Sequence, residues 1–134
     1  MKVDFELLTL PDDMSGYNAA AFTEGRLRIE VKGQVFLQVE YCLLLELANV
    51  MTQWLKAVAT RGAQDFYYAS MDEEEEPIIA LRYCRTRSVF SLWSCWAVCE
   101  HGPDVTLEQA SECFERYVHD LKRAIDNRLQ AVSP

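Results

Sequence analysis

Along residues 2–10 apolar and polar side chains alternate, with Val3, Phe5 and Leu7 on one side and Lys2, Asp4 and Glu6 on the other. Successive side chains of an extended chain point to opposite faces, so this pattern predicts a half-buried strand. Pro11-Asp12-Asp13-Met14-Ser15-Gly16 ends it as a turn. Alternation resumes in Arg26-Leu27-Arg28-Ile29-Glu30-Val31, breaks at Lys32-Gly33, and continues with Val35, Leu37 and Val39 on one face. Two such runs around a short glycine turn predict a β-hairpin. From Glu40 the spacing lengthens to three and four, and Leu44, Leu47, Ala48, Met51, Trp54, Leu55 and Val58 form one stripe. That is the apolar face of a helix over 40–60, closed by Arg61-Gly62.

In the second half, 65–69 reads as a short aromatic strand and 78–84 as another. Between them Asp72-Glu73-Glu74-Glu75-Glu76-Pro77 is expected to be a solvated turn, because adjacent like charges repel in any packed setting. After Arg85-Thr86-Arg87, the stretch 88–100 is apolar on both sides, with Phe90, Leu92, Trp96 and Val98 alternating against Val89, Trp93, Cys95 and Cys99. This predicts a central strand, bent near Ser94. Gly102-Pro103-Asp104 breaks the sheet, and Thr106 with Gln109 has the spacing of a capping box. Leu107, Ala110, Phe114, Tyr117, Val118, Leu121 and Ile125 then form a helical stripe, with Glu108, Glu112 and Glu115 early and Lys122, Arg123 and Arg128 late, as the helix dipole favours. The order is βββ-α-βββ-α: an α+β fold in which two amphipathic helices pack on an antiparallel sheet. Leu47, Met51, Trp54, Phe114, Val118 and Leu121 are the expected core between helices and sheet.

A chain of 134 residues, half of them hydrophobic, suffices for one globular α+β domain spanning 1–134. Its net charge of −8 argues against nucleic acid and against anionic membrane surfaces as partners. The longest apolar run, from Tyr41, is broken by Glu46 and Asn49, well short of a membrane span. The acidic N-terminus has no secretory pattern, and five cysteines form an odd set, so a cytoplasmic protein with reduced, mostly buried thiols is expected. The acidity peaks in mid-chain, where residues 61–105 carry four basic against eight acidic side chains.

Cys95-x3-Cys99-x-His101 places three zinc-type ligands on one face of an extended strand. Cys95 and Cys99 would then stand about 13 Å apart, too far to share one ion, so no metal is expected. A Cys99–His101 pair has no third residue to orient it, and His119 lies beside Asp120 on the polar side of the last helix. Neither arrangement defines a nucleophilic catalyst. Gly16, Gly25, Gly33, Gly62 and Gly102 stand singly, so there is no phosphate loop, and no cofactor is expected. The five carboxylates Asp72, Glu73, Glu74, Glu75 and Glu76 lack the alternation of a calcium loop. They read either as a solvated turn or as a docking surface for a basic partner, with Asp65 and Tyr67 alongside. Phe66, Tyr67 and Tyr68 supply either core or the aromatic centre of such a surface.

Gly33-Gln34-Val35-Phe36-Leu37-Gln38-Val39-Glu40-Tyr41, followed by Leu44-x-Glu46-Leu47-Ala48 and Trp54-Leu55, carries a resemblance together with Asp65-Phe66-x-Tyr68-x-Ser70-Met71-Asp72 and Glu75-Glu76-Pro77-Ile78. This pattern resembles a family of small uncharacterised bacterial proteins. More loosely, it is similar to acidic immunity proteins that protect bacteria from polymorphic and contact-dependent inhibition toxins. It covers residues 25–80 and the layout of the C-terminal helix, leaves 91–101 unmatched, and brings no catalytic motif. The resemblance implies a cytosolic protein that binds and blocks a cognate toxin domain, often a nuclease with a basic cleft, without a cofactor. The alternative is a structural or regulatory interaction module, a homodimer in which Trp93 and Trp96 supply the apolar contact. Neither reading is an enzyme.

Overall fold

A computed structural model describes residues 1–12, 16–71, 73–98 and 103–132, without the side chains of 16–18 and 131–132. Strand β1 (Lys2–Thr9) pairs antiparallel with β2 (Glu24–Val31), which pairs antiparallel with β3 (Gln34–Leu43). Lys32 and Gly33 both take positive φ, 53° and 79°, the geometry of a two-residue primed hairpin turn. One face of this sheet buries Leu27, Ile29 and Leu37 completely. On the other, Arg26 of the central strand reaches Glu6 of β1 and Glu40 of β3, each at 2.9 Å. Cross-strand pairs of opposite charge favour this register.

The chain stays extended past Glu40, because Cys42 and Leu43 still have Gly25 and Glu24 to pair with on β2. The helix predicted from residue 40 therefore begins later, as α2 (Leu44–Arg61), with Leu44 N–H donating to the Thr23 carbonyl at 2.9 Å. Gly62, at φ 85°, ends it. Before β2 the chain forms a helix that the alternation did not predict, α1 (Gly16–Phe22). Ala19 and Ala21 are buried, and the Thr23 hydroxyl donates back to the Ala19 carbonyl at 2.6 Å.

After α2 the chain starts a second antiparallel sheet, β4 (Phe66–Tyr68), β5 (Ile79–Cys84), β6 (Val89–Trp93) and β7 (Asp104–Val105), paired in chain order. The fold is thus α+β as expected, but the described residues form sheets of three and four strands and three helices instead of one sheet and two helices. The long strand expected over 88–100 is also corrected. It ends at Trp93, where the Ser94 hydroxyl accepts the Trp96 N–H at 3.1 Å and turns the chain. Trp93 and Val98 are 44% and 67% exposed, so the two-sided apolar pattern does not describe a strand buried on both faces. Val98 N–H donates to the Phe36 carbonyl at 2.9 Å, tying the segment after β6 to β3.

Helix α3 (Leu107–Val132) opens with the expected capping box in both directions: Thr106 N–H to Gln109 Oε1 at 3.0 Å, and Gln109 N–H to Thr106 Oγ1 at 3.1 Å. Its Tyr117 hydroxyl donates to the Leu44 carbonyl at 2.7 Å, fixing α3 against the start of α2. Both sheets and these two helices share one core, centred on Trp54, whose ring meets Phe66, Phe90 and Phe114 at 6.0, 5.9 and 5.3 Å. Leu47, Met51, Trp54, Phe114 and Leu121 are buried as expected, while Val118 is only partly so. Among the described residues no helix is long and apolar enough to cross a membrane.

Candidate protein-docking surface

Alternation along β4 buries Phe66 and Tyr68 in the core and turns Tyr67 outward, 53% exposed. Tyr67 lies opposite Ala80 on β5, and Ala80 lies opposite Trp93 on β6. Directly opposed residues share a face, so these three form a row across the outside of the four-stranded sheet. The small Ala80, buried under its neighbours, leaves an aromatic side chain standing on either side. The Arg82 guanidinium lies 5.4 Å from the Trp93 ring centroid, a cation–π contact on the same face.

The acidic segment runs along the edge of this row. The Tyr67 hydroxyl donates to Glu76 Oε1 at 2.8 Å, and the Trp96 indole N–H donates to Glu75 Oε2 at 2.6 Å. The bond to Glu76 raises the Tyr67 phenol above its ordinary pKa, so it remains a donor at neutral pH. Cys95 N–H donates to the Pro77 carbonyl at 2.8 Å, holding the turn after β6 beneath the acidic segment. Among the described residues no lysine or arginine forms an ion pair with Glu73, Glu74, Glu75 or Glu76.

The residues anticipated as partner-binding are therefore divided. Tyr67, Glu75 and Glu76 come together with Trp93 and Trp96, and Glu74 is exposed beside them in sequence. Glu73 instead lines a separate cleft of about 60 Å³ with Glu24, Cys42, Tyr68 and Ser70. Asp65 has a structural task, since its Oδ1 accepts the Tyr83 N–H at 2.8 Å and extends the β4–β5 pairing by one bond. Asp72 lies outside the described residues, as do Cys99 and His101. Sequence reasoning passed over Arg82, and its place on the outer face depends on the pairing of β5 with β6.

The small cleft has room for a few waters only. Its Tyr68 hydroxyl donates to Glu46 at 2.8 Å, and burial keeps this phenol protonated. Burial likewise pushes the Cys42 thiol up to about 12, with Glu46 adding to the effect. Neither group is a nucleophile at neutral pH. Among the described residues no three His, Cys, Asp or Glu side chains are grouped to hold a metal ion.

The thiols differ sharply. Cys42 and Cys113 are buried, but Cys95 is exposed, contrary to the expectation of mostly buried cysteines in that stretch. The half-buried Cys84 is lowered to about 7, first by the Thr86 hydroxyl at 3.3 Å and then by Arg87. Burial raises Cys113 to about 11. Because the thiolate reacts, a disulfide reagent should modify Cys84 first, with a rate that climbs through about pH 7 and then levels. Cys84→Ser should remove that phase, while Cys42 and Cys113 should react only on unfolding. Persistence of the pH 7 phase in Cys84→Ser would contradict this assignment.

The chain matches the family model described as Domain of unknown function (DUF7878) over residues 3–127, and it belongs to that family. No curated protein and no solved structure matches it. The family description assigns no activity and contains no link to immunity proteins.

Proposed function

We propose that the protein is a non-catalytic binding protein whose outer sheet face docks on a basic surface of a protein partner. The observation that carries this reading is the row Tyr67–Ala80–Trp93, edged by Glu75 and Glu76, which aromatic donors hold in place and no described cation neutralises. Exposed aromatic anchors with a polar rim are the composition of interface hot spots. Carboxylates oriented in advance lose less freedom on binding, and concentrated negative charge accelerates encounter with a basic surface. The net charge of −8 disfavours nucleic acid and anionic membranes.

The resemblance to immunity proteins makes a toxin domain with a basic cleft the partner to test first, bound in the reducing cytoplasm. The experiment is stopped-flow mixing with any toxin-type domain found encoded beside this gene, at low and high salt. Changing Glu74, Glu75 and Glu76 to Gln preserves the acceptor oxygens while removing the charge. This triple variant should associate more slowly and with a flatter salt dependence, at an unchanged melting temperature. Unaltered rates at both salt levels would overturn the reading and leave the tract a solvated turn. Exposed Trp93 favours a second reading, a homodimer through the same face, which solution mass separates from a monomer.

A further inference from the structure

Between α2 and α3, lined by no strand residue, lies a groove separate from the outer sheet face. Helices α2 and α3 run antiparallel there. Leu45, Ala48 and Thr52 of α2 face Val118, Leu121 and Ile125 of α3, and farther along Leu55, Val58 and Ala59 face Leu107 and Ser111. The second part opens to about 420 Å³. Its floor is the part-exposed Leu55, Val58 and Leu107, and its wall is Glu108, Glu112 and Glu115. Steps of four and three bring these carboxylates to one side of α3.

Among the described residues none of the three forms an ion pair. Glu108 stands in the first turn, where the helix dipole favours an acid. Glu112 and Glu115 lie beyond it, and Glu108 with Glu112 is a like-charge pair at a spacing that opposes the helix. On the other side of Glu112 and Glu115 stand Arg116 and His119 without pairing to them, and an apolar floor beside this acidic wall is complementary to a helix with one apolar and one basic face.

We infer that this groove docks an amphipathic, basic helix of a partner protein. The wall from Leu107 to Glu115 is about 12 Å long, the length of about two turns. Its charge disfavours a second copy of this chain as the occupant. Along both parts of the groove Glu108, Glu112, Glu115 and Asp126 stand against Lys122 alone, and Arg116 and Arg123 do not line it.

The test is calorimetric titration of the full chain with a helical peptide of about 14 residues, long enough to hold some helix in water, with a leucine face and a lysine face. A second peptide carries glutamate in place of lysine. The lysine peptide should bind in the micromolar range and the glutamate peptide should not. Changing Glu108, Glu112 and Glu115 together to Gln should weaken binding about tenfold, as three exposed ion pairs would. Ala59→Arg, at an exposed position, should also weaken it, with an unchanged circular dichroism spectrum. Changing Glu74, Glu75 and Glu76 to Gln should leave it unaltered, which keeps this test separate from that of the sheet face. Equal binding of both peptides, unchanged affinity in the groove variants, or no binding of the lysine peptide up to millimolar concentration would overturn the inference.

Discussion

Trp54→Ala is expected to destabilise the protein by about 3–5 kcal/mol, the range for removing a large aromatic side chain from a packed core. Trp54 is almost wholly buried, and its ring edges contact Phe66 from β4, Phe90 from β6 and Phe114 from α3. Those three elements meet on this one side chain, so collapse around the vacated space would require both helix and sheet to move. The indole N–H also donates to the Gln64 carbonyl at 2.9 Å, and its loss leaves that part-buried acceptor without its partner. Denaturant unfolding of the variant against the parent measures the effect. A loss below about 1 kcal/mol would mean that the aromatic cluster does not hold the second sheet to the helices.

Gly25→Ala should be nearly as damaging, although it adds a single methyl group. A Cβ at this position would run into the Glu6 carbonyl of β1 and come within 2.7 Å of the Leu44 side chain. The flexible end of Leu44 can yield, but the carbonyl is main chain of a strand paired with β2 on both sides of the contact. Relief therefore requires β1 to separate from β2. Ordinary overpacking of a core costs about 1–3 kcal/mol, and a main-chain obstacle puts Gly25→Ala at the upper end or above. The melting temperature should fall accordingly, while Gly33→Ala, with open space around the same atom, should show only the cost of its positive φ. Equal, small losses at the two positions would refute the close approach of β1 to β2.

Periodicity made much of this fold legible. Seven apolar positions in each of α2 and α3, the Thr106–Gln109 box and the Lys32-Gly33 turn are local signals, and the local structure follows them. α1 has no such signal in its described residues: Ala19 and Ala21 are buried, yet small alanines contrast too little with their surroundings to mark a face. Two-residue β7 was hidden in a stretch read as a sheet break, because its pairing to Phe90 and Ser91 is set by distant residues. Alternation also says which side of a strand is buried without saying which strand lies next to it. For that reason the division into two sheets, at the point where α2 separates β3 from β4, could not be read.

The candidate site divides in the same way. The charge of the acidic segment and the aromatic composition of β4 are sequence properties. Its neighbours Trp93 and Arg82 arrive through the register of β5 with β6, and Trp96 through the turn at Ser94. Asp65, an exposed acid by sequence, is committed to a main-chain bond with Tyr83.

The most direct test of the docking surface is hydrogen exchange on the protein alone and in a one-to-one complex with its purified partner. Binding through the outer sheet face predicts slowed exchange in β4, in residues 73–76 and in β6, and Trp93→Ala should abolish that protection while leaving the free protein folded. Protection confined to α2 and α3, with β4 and β6 exchanging as they do in the free protein, would contradict it.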